Sequence, residues 1–437
     1  MTAEAAPRPD DGREPPREDG YGPALPRYGG SAGPSDRAAE RLGIVLSGGG
    51  ARGAYQVGVL RYLGRRLGDY RPSILTGVSA GAINTGFLAS HLGDLDAATR
   101  DLKEKWTELR TRDVMQSDPL TMGFIVLRWL ATLASGGSRL APRARSLVDN
   151  RPLERYLSGL VDPERIRKNV ENDRLRAAAV TATSYQTGRT VTFVQGEEDL
   201  RMWRRPQREA RREQLTLDHV LASAAIPLLF PAVRLGDGHY GDGSVRQTAP
   251  LAPAIHLGAR RILAVSSRYP RDVEEARRPS VEGYPPIAQI GGVLANSSFL
   301  DTLETDARWL RRVNRLVSKI PEEERRRERL EEIDLLVLRP SRDLGRLAAE
   351  YERELPRTLR FLTRGLGSRE SDSPDLVSYL LFERGYLRHL IELGERDAER
   401  QWPRLASFLG VDEGAGEAGP AGADRQESGA GTEERQG

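Results

Sequence analysis

The chain has 437 residues, 66 basic against 63 acidic side chains, a formal net charge of +3, five histidines and no cysteine. Without cysteine there is no disulfide scaffold, no thiolate metal site and no cysteine nucleophile, and the usual structural zinc sites are excluded too. The near-balance of charge gives no reason to expect a nucleic-acid partner.

Residues 1–40 are rich in proline and glycine and nearly free of large aliphatics, and 411–437 are glycine-rich with Val411 as the one branched apolar residue. Neither end buries enough apolar surface to offset the entropy of ordering it, so both are expected to be disordered tails. The N-terminus lacks a basic start followed by an apolar run, which points to a cytoplasmic protein. Between the tails, Gly43–Ser47 reads as a buried strand, a helix follows over Arg52–Leu67, and Ser73–Thr76 and Ala80–Ser90 repeat the strand–helix pair. Pro72–Gly93 is long and uncharged, but its glycines and polar residues suit a packed turn and helix rather than a bilayer span. Leu120–Ser135 is apolar around Arg128 and is expected to be a buried helix, with an interfacial helix as the alternative.

Further along, Ala177–Thr183 and Thr190–Val194 read as strands around the turn Gln186–Gly188. Arg201–Arg212 holds six arginines and Glu322–Glu332 is nearly all Glu and Arg; both are expected to be solvated helices, the first with anionic lipid head groups as an alternative partner. Arg261–Val265 and Leu335–Leu338 are further buried strands, Ile287–Leu300 is expected to be a packing helix, with part of a lid or acyl-chain pocket as the alternative, and Ser373–Leu393 an amphipathic helix with Ser373 as N-cap. Strands alternating with helices give an α/β protein with a mostly parallel central sheet covered on both faces.

Two segments carry chemistry. Gly48–Gly53, following a strand and opening a helix, can present backbone N–H groups to a phosphate or a developing oxyanion. Its spacing also fits the dinucleotide fingerprint, but the acidic residue that should end the second strand is missing. That strand instead runs into Gly77-Val-Ser79-Ala-Gly81, a G-x-S-x-G whose small residues permit a sharp strand-to-helix turn exposing a serine hydroxyl. The competing reading is a glycine turn with Ser79 as helix N-cap. Of the histidines, His91, His219, His239, His256 and His389, none has a distinctive setting. Among carboxylates, Asp237-Gly238 sits where a hairpin turn would, and Asp242 follows the second short strand between Gly241 and Gly243. Asp242 is either another turn residue or a carboxylate brought close to a second backbone.

The combination G-G-G-x-R-G, G-x-S-x-G and, well downstream, Asp242-Gly243-Ser244 resembles the bacterial patatin-like phospholipases. Ser146–Leu153, Val180–Ser184 and Ala222–Pro227 followed by Phe230-Pro231 look similar as well, so the resemblance spans Leu42–Val265. It implies a three-layer α/β/α patatin-like sandwich with a helical C-terminal extension. It also implies a serine–aspartate dyad of Ser79 and Asp242 without histidine. The oxyanion loop would be Gly48, Gly49, Gly50, Arg52 and Gly53, with Gly77, Gly81 and Gly243 flanking the reactive residues. Ser244 stands where the family usually has Gly or Ala. The implied organisation is a catalytic domain over 41–266 and an extension over 267–410, between tails 1–40 and 411–437. The implied activity is lipid acyl hydrolysis of phospholipase A, lysophospholipase or esterase type on membrane phospholipid or lysophospholipid. Peripheral membrane contact is expected, and no metal or cofactor. The alternatives are a histidine-dependent α/β-hydrolase using His256 or His389, and a non-catalytic nucleotide- or lipid-binding module.

Overall fold

In the computed structural model, the described residues are 41–116, 118–134, 146–277, 279, 281, 283–328, 330–370 and 374–411. The expected tails, 1–40 and 411–437, lie outside them except for Val411, as does Ser373. Among the described residues ten strands form one sheet in the order β10-β9-β1-β2-β3-β4-β6-β5, with β8 pairing β3 and β7 pairing β8. The strands are β1 (Leu42–Leu46), β2 (Ile74–Val78), β3 (Ala177–Ser184), β4 (Thr190–Gly196), β5 (Arg204–Arg205), β6 (Arg208–Arg212), β7 (Val233–Leu235), β8 (Gly238–Asp242), β9 (Arg261–Val265) and β10 (Asp334–Leu338). From β10 to β3 all neighbours are parallel; β4 turns back on β3.

Successive side chains of a strand face opposite ways, and each central strand feeds two cores. Leu42, Ile44 and Leu46 of β1 and Leu263 and Val265 of β9 join one apolar cluster, while Val45, Ile262 and Ala264 join another on the opposite face. Both faces are covered, which explains why these strands read as continuous apolar runs. Over the first face lie α1 (Gly53–Leu67), α2 (Ala80–Ser90) and α3 (Leu95–Glu108). Helix α3 starts where Asp94 accepts a hydrogen bond from the Ala97 N–H at 2.7 Å, and it buries Leu95, Ala98, Leu102 and Trp106 along one stripe. The second face is covered by the helix Asp301–Val317 through Leu303, Ala307 and Leu310.

Five further helices are α4 (Pro119–Ala134), α5 (Leu217–Ala224), α6 (Ile287–Phe299) and the pair α7 (Asp375–Leu380) and α8 (Arg384–Arg400). Helix α8 packs against α1 at very close range. A Cβ on Gly58 would lie 2.0 Å from the Ile391 carbonyl oxygen, and one on Gly394 would lie 2.2 Å from that of Tyr55.

Three expectations are corrected. The arginine-rich run 201–212 is an edge hairpin, β5–β6, because alternation on the edge of β4 lets Ala210 enter the core while the arginines stay at the rim. Helix α4 does not bury its apolar stripe: Leu120, Phe124, Leu127 and Leu130 are all exposed, Leu120 to 86%. The single amphipathic helix expected over 373–393 is two helices, broken at residues 381–383, where Leu381 is buried in the core. Gly58→Ala is expected to cost about 1–3 kcal/mol by overpacking the α1–α8 crossing. Gly123→Ala in α4, where an added Cβ meets nothing, should instead stabilise by up to about 1 kcal/mol. Urea unfolding of the two variants checks the opposite signs.

Candidate active site

The site forms where two strands share one edge of β3. Strand β2 pairs with β3 as far as Val78 opposite Thr181; from the next residue of β3 the same edge is taken by β8, with Asp242 opposite Ala182. Ser79 follows Val78, so the end of β2 and the end of β8 meet, and Ser79 and Asp242 with them. Both are buried, Ser79 to 2% exposure and Asp242 to 0%.

Ser79 adopts φ 55° and ψ −125°, a conformation an L-residue holds only at a cost of about 1–3 kcal/mol. The turn is possible because Gly81 lies against β1: a Cβ there would be 2.2 Å from the Leu46 carbonyl oxygen. The Ser79 side chain makes no capping hydrogen bond to α2, so its hydroxyl is not spent as an N-cap. Its backbone N–H donates to Ser223 Oγ at 3.0 Å, and Ser223 Oγ donates in turn to the Thr181 carbonyl at 2.6 Å. Ser223, on α5, thus ties the strained turn to β3.

Asp242 Oδ1 accepts the Ser244 N–H at 2.9 Å. This bond uses only the backbone of Ser244, so the serine at that position does not disturb it. Oδ2 is buried and lacks a partner meeting ordinary hydrogen-bond geometry. Burial pushes the Asp242 carboxyl up to about 6, against the nearby Ser79 hydroxyl and the Ser244 groups, which favour its charged form. Gly243 is fixed by space: a Cβ would lie 2.1 Å from the Thr181 carbonyl oxygen.

The glycine loop lies between β1 and α1. Its Gly48 carbonyl accepts Ser267 Oγ at 2.7 Å, from just beyond β9, and Gln56 Nε2 donates to the Ser47 carbonyl at 2.7 Å. A buried chain supports Gln56, with Trp106 Nε1 donating to Asn84 Oδ1 and Asn84 Nδ2 to Gln56 Oε1. The Arg52 and Gly53 N–H groups are consumed inside the loop's 3-10 turn. Those of Gly49 and Gly50 have no acceptor among the described residues. The Arg52 guanidinium is buried and engaged with Asp375, Ser378 and Asn296. Burial alone would lower its pKa, but Tyr379 and Asp375 hold it raised, so it is a fixed cation.

Ser79 and Gly50 open onto a cavity with about 800 Å³ of empty space, its mouth included, walled mainly by apolar residues such as Phe87, Leu102, Trp106, Leu157, Val220 and Phe382. No histidine lines it. His91 meets Asp101, His219 meets Glu213, His239 meets Gln186, His256 stacks on Trp203 and His389 meets Tyr351. Among the described residues no group of three or more His, Asp or Glu side chains could hold a metal ion, and no helix is long and apolar enough to cross a membrane.

Residues 44–255 match the family model described as patatin-like phospholipase. The chain carries a patatin-like phospholipase domain. No curated protein matches the sequence. Among solved structures, it is similar to VipD from Legionella pneumophila, at 15% identity over 81% of this chain and 67% of that one, with a TM-score of 0.32. It is also similar to the ExoU–SpcU complex of the type III secretion system of Pseudomonas aeruginosa, at 16% identity over 85% and 74%, with a TM-score of 0.23.

Around the site, sequence reasoning missed Ser223, Gln56, Asn84 and Ser267, whose partners are 9 to 220 residues away. Ser223 alone carried a signal, inside the run Ala222–Pro227 that resembled the family. Ser223→Ala leaves the Ser79 N–H and the Thr181 carbonyl without this bridge, and is expected to lower stability by about 1–3 kcal/mol in urea unfolding. An unchanged midpoint would show that the bridge is not formed in solution.

Proposed function

We propose that the protein is a lipid acyl hydrolase of phospholipase A or lysophospholipase type, with Ser79 as nucleophile and Asp242 as its base. The observation that carries this reading is the end-to-end arrangement of β2 and β8 on one edge of β3, which brings a buried carboxylate beside a strained serine that lines an apolar cavity. An acyl chain fits that cavity by its lining.

Asp242 accepts the Ser79 proton as Oγ attacks the ester carbonyl, and the Gly49 and Gly50 N–H groups receive the developing oxyanion. Collapse breaks the ester C–O bond; the leaving alcohol takes the proton from Asp242, and the acyl group stays on Ser79. Water, deprotonated by Asp242, then releases the fatty acid and restores the serine. The dipole of α2 adds positive potential behind Ser79. A carboxylate is a weak base for a hydroxyl, but burial raises its basicity toward neutrality, and the donors of the loop do the remaining work. The histidine-dependent alternative is disfavoured because all five histidines have partners elsewhere. A nucleotide in the glycine loop is disfavoured because the nearby cation, Arg52, is already neutralised and the cavity is apolar.

Membrane contact is supported by the rim on the same side of the sheet. The β5–β6 turn pairs with Thr190, level with the end of β3, so it lies at the Ser79 end, three strand spacings or about 14 Å across the sheet. There Glu209 is shared by Arg189 and Arg211 and Arg208 faces Asp306, while Arg204 and Arg205 are exposed and have no ion pair among the described residues. We read these two as contacts for anionic head groups.

Ser79→Ala and Asp242→Asn should each abolish hydrolysis of short acyl esters and phospholipids while the fold persists, and product analysis on a phospholipid panel checks this. In the unaltered protein kcat/KM should fall as pH drops through about 6, because below it Asp242 keeps its proton and cannot accept that of Ser79; a rate flat down to pH 4.5 would remove Asp242 from the role. Replacing Arg204 and Arg205 by Glu should weaken association with vesicles containing phosphatidylserine by more than about tenfold, at about 1 kcal/mol per basic residue, with hydrolysis of a soluble ester unchanged.

A further inference from the structure

The Arg52 side chain leaves the glycine loop and enters a closed, buried set of partners, all from beyond residues 44–255. Arg52 Nη2 meets Asp375 Oδ1 at 2.5 Å, Nε donates to Ser378 Oγ at 2.7 Å and Nη1 to Asn296 Oδ1 at 3.4 Å. Asn296 Nδ2 donates to Asp375 Oδ2 at 2.7 Å, so both carboxylate oxygens are engaged. The guanidinium lies 4.3 Å from the Tyr379 ring centroid, and Tyr379 Oη donates to Asn296 Oδ1 at 2.8 Å. Arg52 is 3% exposed.

We propose that Asp375 is a positioning residue for the glycine loop, so that the segment 375–382 completes the active site. This rests on the reading of Ser79 as nucleophile and of the loop as its oxyanion site. A buried ion pair is a poor source of stability compared with packed apolar side chains; what it supplies is a fixed geometry. Arg52 closes the 3-10 turn through its N–H to the Gly49 carbonyl at 3.1 Å. Anchoring its side chain therefore fixes the direction of the adjacent Gly49 and Gly50 N–H groups, which have no acceptor among the described residues. The same segment presses on the loop directly, since a Cβ on Gly50 would lie 2.4 Å from the Tyr379 carbonyl oxygen. Its next residues, Leu380 and Phe382, form part of the cavity wall beside Ser79. One short segment thus sets both the oxyanion donors and the wall that an acyl chain meets.

The test is a double-mutant cycle on the full chain with Asp375→Asn, Arg52→Gln and the pair, reading kcat and KM on a soluble ester, with unfolding midpoints as a fold check and Ser79→Ala as the control for the reading itself. Misplacing oxyanion donors should lower kcat about 10²-fold for Asp375→Asn with KM within about twofold. Arg52→Gln should match it, and the pair should be no worse than either single variant. Should Asp375→Asn fail to fold because Arg52 is left as an unpaired buried charge, the uncharged pair is compared with Arg52→Gln alone; equal, lowered kcat values are expected, and a further fall overturns the proposal. A folded Asp375→Asn with unchanged or raised kcat, or effects that multiply in the pair, also overturns it. Activity surviving in Ser79→Ala would instead overturn the nucleophile assignment, whatever Asp375 does.

Discussion

Everything at the candidate site depends on how one edge of β3 is divided. A parallel strand, β2, uses the first half of that edge and stops; an antiparallel strand from more than 150 residues later, β8, uses the rest. Two chain segments that both end at the same point of a sheet must bring their terminal residues together, and here these are Ser79 and Asp242. Small residues make the junction possible. Gly243 lets the chain pass the Thr181 carbonyl and Gly81 lets α2 start against β1.

The electrostatics follow from the same burial. Asp242 is cut off from water, which raises its affinity for a proton, yet it keeps a backbone donor, and the Ser79 hydroxyl is close by. Such a carboxylate is a better base than an exposed one, at the expense of activity in acid. The strain at Ser79 is held by Ser223 below it and by α2 ahead of it, so the cost of an unfavourable φ is carried by the sheet and its helices rather than by the serine alone. The glycine loop is held in a similar way from two sides, by Ser267 and Gln56 beneath and by α7 above.

The C-terminal region is built into this arrangement. Strand β10 extends the parallel sheet next to β9, α8 lies on α1 through paired glycines, and α7 grips Arg52. The helix that carries the glycine loop is therefore packed on one side by residues from the far end of the chain.

The sequence by itself determined the strand–helix alternation, both glycine motifs and the elbow serine, because these depend on local periodicity and on residues whose backbone needs are local: Gly77 to Gly81 reads as a strand-to-helix turn wherever it stands. It also narrowed the carboxylate to Asp242, though only beside the reading of a plain turn residue. It could not decide that Arg201–Arg212 pairs as an edge hairpin, since charge alternation fits a solvated helix equally well and the pairing with β4 is non-local. Nor could it show that α4 leaves its apolar stripe exposed. The tertiary structure alone decided that Asp242 lies beside Ser79, that Ser223 bridges the elbow to β3, and that Arg52 turns to Asp375 323 residues away. These are contacts between distant segments, fixed by sheet register and packing, and no local pattern in the chain encodes them.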